Sequence, residues 1–341
     1  MTALVGCIGG GQLGRMLALA GLPLDVRFRF LDPSADACAG DVGELLVGAY
    51  DDPQLLDRLA DGADAVTYEF ENVPVEGARR VGAVPDAPAL ERGQDRLVEK
   101  MLFASLGIPT ARSGTLADTG LPALVKSRRL GYDGRGQRFV DSDEPIGDEE
   151  VAEEVVPFDR ELSVVAVRGR DGDTRFYPVA ENEHRGGILA VSRAPARDAP
   201  QAEAEAIATK LLDALGYVGV LAVELFEVDG RLLANEFAPR VHNTGHWTID
   251  GAVTSQFENH VRAILGWPLG PAEAIGESLM ANIVGEVPSL EGLLGVPGAH
   301  VHLYGKDARP GRKLGHVTLV DADEEGAASL VALATGAWKG G

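Results

Sequence analysis

The sequence predicts an α/β protein in three parts: an N-terminal parallel sheet flanked by helices, a mixed middle region carrying a small lobe of strands and turns, and a small β-rich C-terminal domain. Three observations support this. Residues 1 to about 95 alternate strand-like and helix-like runs, the pattern of a parallel sheet with helices on both faces. From Pro122 to about Val167 the pattern changes to short strands and glycine-rich turns. Beyond about residue 270, short apolar runs recur before a last helical stretch.

In order, strands are expected at 3–8, 26–31, 44–47 and 65–68, with helices at about 11–20 and 53–60. A helix follows at 96–107. "LPALVKSRRLGYDGRGQRFV" reads as strand, glycine-rich loop, strand, and a second strand-rich piece, Glu153 to Val167, is counted with the same small lobe. A helix at 201–215 and a hairpin at 217–237 build the larger region. Strands near 279–284, 300–304 and 314–320 and a helix at 324–334 complete the chain.

With 341 residues and 45% hydrophobic content there is ample material for a core. The 31 Lys and Arg against 52 Asp and Glu leave a net charge of -21, which repels phosphate backbones and argues against a nucleic-acid partner. Any bound phosphate must be held by a local cluster of donors. No run is apolar enough to suggest a membrane span. Two cysteines, Cys7 and Cys38, form no disulfide framework and suit a cytoplasmic protein.

The first candidate site is "LVGCIGGGQLGRMLALAG". Gly9, Gly11 and Gly14 fit the dinucleotide pattern G-x-G-x-x-G between a strand and a helix, with Asp32 at the end of the next apolar run. Such a loop at a helix N-terminus attracts the phosphate of a mononucleotide as readily as that of a dinucleotide. Asp32 lies near the spot where such folds hold a ribose; if the loop serves a mononucleotide instead, capping a turn before Pro33 is role enough for it. Glu69 and Glu71 follow the strand at 65–68 and are expected at the same end of the sheet.

Four further clusters carry chemistry. In "KSRRLGYDGRGQ", Gly131, Gly134 and Gly136 make a flap whose backbone can approach phosphate, and Lys126 supplies a point charge. In "VELFEVDGRLLANEF", Glu224 and Glu236 lie on two otherwise apolar arms, and Mg²⁺ bridging them to nucleotide phosphates relieves their burial. Side chains alternate faces along a strand, and an unbulged two-residue Asp229-Gly230 turn would pair Glu224 with Asn235. The two acids therefore face each other only across a three-residue loop with a glycine bulge, or with a bulge in one arm. In "NEFAPRVHNTGHW", Pro239 and Gly245 argue against a helix. That leaves Arg240, His242 and Asn243 on a loop able to present donors to a small planar anion. In "LYGKDARPGRKLGH", Lys306, Arg309, Arg312 and Lys313 form a basic island in an acidic chain. His260, His300 and His316 carry no expected role.

Taken in order, these motifs resemble the 5-(carboxyamino)imidazole ribonucleotide synthases, ATP-grasp ligases of de novo purine synthesis. The resemblance covers nearly the whole chain, and "NEFAPRVHNTGHW" is its most specific part. It implies a Rossmann-like preATP-grasp domain over 1–95, an ATP-grasp domain over 96–267 with its flap lobe at about 120–167, and a C-terminal domain over 268–341. It implies ATP and Mg²⁺, 5-aminoimidazole ribonucleotide and bicarbonate as substrates, carboxyphosphate as intermediate, and a homodimer.

On matching positions, Arg96, Lys126, the flap residues Gly131, Tyr132, Asp133, Gly134, Arg135, Gly136 and Gln137, the stretch Glu153, Glu154, Val155 and Val156, and Glu161, His184, Asn235 and Glu236 would meet the nucleotide. Glu224 and Glu236 would hold the metal. Arg240, His242 and Asn243 would hold bicarbonate or carboxyphosphate, with Asp133 and Lys306 also catalytic. Gly11, Gln12, Glu71, Tyr132, Arg135, Lys306, Arg312 and Lys313 would meet the ribonucleotide. The other readings weighed are an NAD-dependent oxidoreductase, a non-catalytic nucleotide-binding regulator and another purine-pathway ATP-grasp ligase.

Overall fold

The computed structural model describes residues 2–131 and 136–336. The N-terminal region runs β1 (Ala3–Ile8), α1 (Gln12–Gly21), β2 (Val26–Asp32), β3 (Glu44–Val47), α2 (Pro53–Ala60) and β4 (Ala65–Tyr68). These strands form a four-stranded sheet, all parallel, in the order β3-β2-β1-β4. The strand–helix alternation dictates this arrangement, because a parallel pair needs a crossover and the helix supplies it. Three helices follow, α3 (Val75–Arg80), α4 (Ala87–Gly93) and α5 (Arg96–Ser105).

The small lobe comprises β5 (Ser113–Gly114), α6 (Leu116–Thr119), β6 (Ala123–Ser127), β7 (Gln137–Val140) and β8 (Glu150–Glu154). Its antiparallel sheet has the order β5-β8-β6-β7 and covers a separate small core of Leu116, Ala123, Val125, Val140 and Ala152.

The larger region begins with β9 (Arg160–Arg168), β10 (Thr174–Phe176), β11 (Ala180–Arg185) and β12 (Ile188–Ala194). It continues through α7 (Gln201–Ala214), β13 (Gly219–Val228), β14 (Arg231–Ala238), α8 (Thr248–Gly251) and α9 (Gln256–Leu265). The last elements are β15 (Ser278–Val284), α10 (Leu290–Leu294), β16 (His300–Leu303), β17 (Lys313–Val320) and α11 (Glu324–Thr335). A nine-stranded sheet takes the order β14-β13-β9-β11-β12-β15-β17-β16, with β10 on β9.

Two expectations are corrected here. The piece 160–167, counted with the small lobe, is β9 and lies inside the large sheet, hydrogen-bonded to β13 and β11. Its run of buried Val164, Val165, Ala166 and Val167 needs cover on both faces, which a small lobe cannot give. The loop after Pro239 holds one 3-10 turn, Asn243–Trp247, started by the His242 ring accepting the Thr244 N–H. The C-terminal strands extend the large sheet, with β15 paired to β12. Helix α1 packs on α9, so a single core joins the N-terminal sheet (Val5, Phe28, Phe30) to the large one (Val165, Val167, Trp247).

Candidate active site

The hairpin β13–β14 closes through Asp229 (φ 49°) and Gly230 (φ 75°), a two-residue turn with both central residues left-handed. Leu225 pairs with Ala234, but Glu224 pairs with Glu236, so Asn235 is an extra residue in β14. Of the two devices the sequence allowed, the bulge in one arm is the one present, and it turns both acids to one face.

Around the acids the partners converge from distant segments. Arg96 Nη1 lies 2.8 Å from Glu236 Oε2, and His242 Nε2 lies 3.3 Å from Glu224 Oε1. Burial and the facing Glu236 push Glu224 up to about 7. Burial also raises Glu236, but Arg96 outweighs it and the net shift is downward. Two half-buried carboxylates facing each other, of which one is driven toward protonation, form a donor set that a hard divalent cation fits. Among the described residues there is no group of three or more His, Cys, Asp or Glu side chains that could hold a metal ion.

The loop after β14 is fixed by Gln256, which accepts the His242 N–H at 3.0 Å and donates to the His242 carbonyl at 2.6 Å. The Nδ1 of His242 accepts the Thr244 N–H at 3.4 Å, which assigns the ring hydrogen to Nε2, facing Glu224. Burial and the Arg240 cation hold His242 well below the usual histidine range, so the ring is neutral. Arg240 pairs with Glu71. Burial raises Glu71, but Arg240 holds it down to about 2. Neither end of the buried Asn243 amide has a partner among the described residues, and an orphaned amide beside Arg240 and His242 marks a place for a polar ligand.

On the nucleotide side, Lys126 Nζ lies 2.8 Å from Glu153 Oε2. Glu154 is held by Arg112. Both carboxylates of that stretch are therefore already paired within the chain. Glu161 pairs with His184 across β9 and β11. Burial lowers His184, but Glu161 outweighs it and raises the ring. The Asn235 side-chain oxygen is buried without a partner among the described residues. Arg96 also reaches the Gly131 carbonyl at 3.3 Å, which ties the root of the flap to the acids. Gly136 and Gln137 stand where β7 begins. Tyr132, Asp133, Gly134 and Arg135 lie outside the described residues.

The glycine loop departs from expectation. The Gly11 and Gly14 N–H groups both donate to the Glu69 carboxylate, the latter at 2.8 Å, and Gly10 N–H donates to Asp32 at 2.9 Å. Asp32 also accepts from Ser34 N–H, the capping role expected of it, and from the Tyr50 hydroxyl. The amides that would cradle a pyrophosphate are thus filled from within the chain, so the NAD reading loses its binding site. Gly11 itself has no room for a side chain, since a Cβ there would stand 2.5 Å from Glu69 Oε1. Glu69 and Glu71 take different partners, the glycine-loop amides and Arg240. Gln12 remains, and it meets Lys306 from 294 residues away. Lys313 opens β17 and lies within electrostatic range of Glu224, His184 and His242. Arg312 bonds back to the Asp307 carbonyl at 3.1 Å.

A cleft is lined by Glu71, Gln94, Arg96, Gly131, Glu236 and Arg240. Sequence reasoning missed Glu99, Lys100, Gln94 and Gln256. Glu99 and Lys100 sit one helical turn after Arg96, the spacing that puts them on the same face.

Three protein families match the chain: the ribonucleotide synthetase preATP-grasp domain over residues 1–93, the ATP-grasp domain over 103–257, and the phosphoribosylaminoimidazole carboxylase C-terminal domain over 278–329. An N5-carboxyaminoimidazole ribonucleotide synthase of Pseudomonas aeruginosa is 49% identical, covering 94% of this chain and 95% of that protein. The crystal structure of an N5-carboxyaminoimidazole ribonucleotide synthetase from Thermus thermophilus superposes with a TM-score of 0.93 at 52% identity, covering 97% of this chain and 98% of that one. One from Aspergillus clavatus, solved with ADP and 5-aminoimidazole ribonucleotide, has a TM-score of 0.88 at 30% identity, covering 97% of this chain and 98% of that one.

Proposed function

The chain belongs to the N5-carboxyaminoimidazole ribonucleotide synthases, ATP-grasp ligases, and on that premise we propose that its cleft joins bicarbonate to 5-aminoimidazole ribonucleotide with ATP, releasing ADP and phosphate. The observation that carries this reading is the facing pair Glu224 and Glu236 with Arg240, His242 and the orphaned Asn243 amide beside it.

Glu224 and Glu236 would hold Mg²⁺, which when bound neutralises the nucleotide's phosphate charge. Arg96 and Lys126 add cationic charge on the phosphate side. Arg240 grips bicarbonate through its planar fork, Asn243 supplies a donor and an acceptor, and His242 keeps its Nε2 hydrogen directed at the acid pair. A bicarbonate oxygen attacks the γ-phosphorus as the bond to the ADP oxygen breaks, giving carboxyphosphate. The exocyclic amine of the ribonucleotide then bonds to the carboxyl carbon, losing a proton as phosphate leaves. Bicarbonate is a weak nucleophile, so positioning and charge stabilisation supply most of the acceleration. Lys306, Gln12, Arg312 and Lys313 would hold the ribonucleotide, and the flap, including Tyr132, Asp133 and Arg135, would shield carboxyphosphate from water.

The reading includes a cytoplasmic homodimer. Its support is the family resemblance, two free buried cysteines and the absence, among the described residues, of a helix long and apolar enough to cross a membrane. The test is ADP release with each component omitted in turn. Release should require ATP, Mg²⁺, bicarbonate and 5-aminoimidazole ribonucleotide together, and full turnover in bicarbonate-free buffer would overturn the reading.

A further inference from the structure

Helix α5 carries more of the acid pair than Arg96. We infer that Glu99 and Lys100 are positioning residues that clamp the backbone on both sides of Glu236 and hold it opposite Glu224. Lys100 is 3% exposed, and its Nζ donates to the carbonyl of Asn235, the bulged residue, at 2.7 Å. Glu99 is equally buried, and its Oε1 accepts the Phe237 N–H at 2.6 Å. Arg96, one turn earlier, holds the Glu236 carboxylate itself. One helical face thus touches three consecutive residues, 235, 236 and 237.

The strand needs this grip for two reasons. β14 is the edge of the nine-stranded sheet, so its outward backbone groups have no neighbouring strand. Its Ala234 N–H is covered by the Pro109 carbonyl and its Ala234 carbonyl by the Thr110 hydroxyl, each at 2.7 Å, and the two α5 side chains continue that cover past the bulge. The bulge also brings two carboxylates together. A slip to the unbulged register would relieve their repulsion by turning Glu236 to the other face. Lys100 ties the bulge to the small lobe as well: its Nζ lies 3.5 Å from Glu153, which holds Lys126.

The inference rests on the magnesium reading above, and its test separates the two. Calorimetry measures ADP affinity with and without Mg²⁺ for wild type, Lys100→Met, Glu99→Leu and Glu99→Gln. Wild type should bind ADP at least tenfold more tightly with Mg²⁺. Lys100→Met and Glu99→Leu should lose that gain while metal-free ADP affinity stays within threefold. Glu99→Gln, which can still accept the Phe237 N–H, should keep it. Equal weakening of both affinities, or a full Mg²⁺ gain in Lys100→Met, would overturn the clamp. Should Lys100→Met fail to fold, the two Glu99 variants decide, and loss in both or in neither counts against it. A wild type with no Mg²⁺ gain would overturn the magnesium reading, and the clamp with it.

Discussion

Arg240 is paired with Glu71 and lies beside a buried amide that has no partner among the described residues. Its value lies in planar geometry as much as in charge. Arg240→Lys keeps the cation and loses the fork. We expect kcat/KM for bicarbonate to fall about 100-fold, roughly 2.7 kcal/mol, in ADP-release assays, with ADP affinity held within twofold. Lys306 meets Gln12 across the whole length of the chain, and burial lowers its amine below the usual lysine range. Lys306→Ala should raise KM for 5-aminoimidazole ribonucleotide at least about tenfold in steady-state kinetics, the scale of one lost charge-assisted contact. KM for ATP should hold steady, and an equal rise in both would remove Lys306 from the ribonucleotide subsite. The types of these residues were legible in the sequence, because Arg, His and Asn clustered after an acidic strand have few structural uses. Their partners were not legible: Glu71 and Arg240 are 169 positions apart.

The glycine loop shows how an element's meaning depends on what fills it. Gly9 has φ +102°, and a Cβ there would stand 2.5 Å from the Glu69 side chain. Gly9→Ala should therefore strain the backbone and push Glu69 from the helix N-terminus, costing about 1–3 kcal/mol in urea denaturation. A change under about 0.5 kcal/mol would mean that Glu69 is not needed there. The loop's spacing was readable, but Glu69 as its occupant was not, because nothing near Gly9 in the chain encodes it. The hairpin is the opposite case. The two-residue period of a strand, applied to Glu224 and Glu236, required an extra residue, and Asn235 is that residue.

Across the molecule, buried histidines make stability depend on pH. Burial drives His246 and His316 well below the usual range and His260 to about 3. Below about pH 6.5 the unfolded chain takes up protons that these rings refuse, so the stability they confer is present above 6.5 and lost as pH falls toward their folded values. At pH 5.5 each site should cost on the order of 1 kcal/mol relative to pH 7.5. His184 runs the other way: Glu161 raises it, so it adds stability as pH falls. Glu224, raised to about 7, and Glu99, raised to about 8, also add stability as pH falls, so the rings are read by difference. On going from pH 7.5 to 5.5, His260→Gln should gain urea stability relative to wild type, and an unchanged difference between the two would mean that this ring accepts its proton in place.

The sequence by itself determined the parallel N-terminal sheet, the β13–β14 hairpin, the presence of an acid pair and the need for a bulge, though not β10–β12 or α9, because hydrophobic period, turn chemistry and side-chain parity act over a few residues. Only the tertiary structure decided that β9 belongs to the large sheet, that Glu69 fills the glycine loop and that α5 grips β14. Those outcomes turn on where an apolar strand finds cover on both faces and on which buried side chain finds which backbone group. That choice is made by packing between segments 55 to 135 residues apart, and no local rule constrains it.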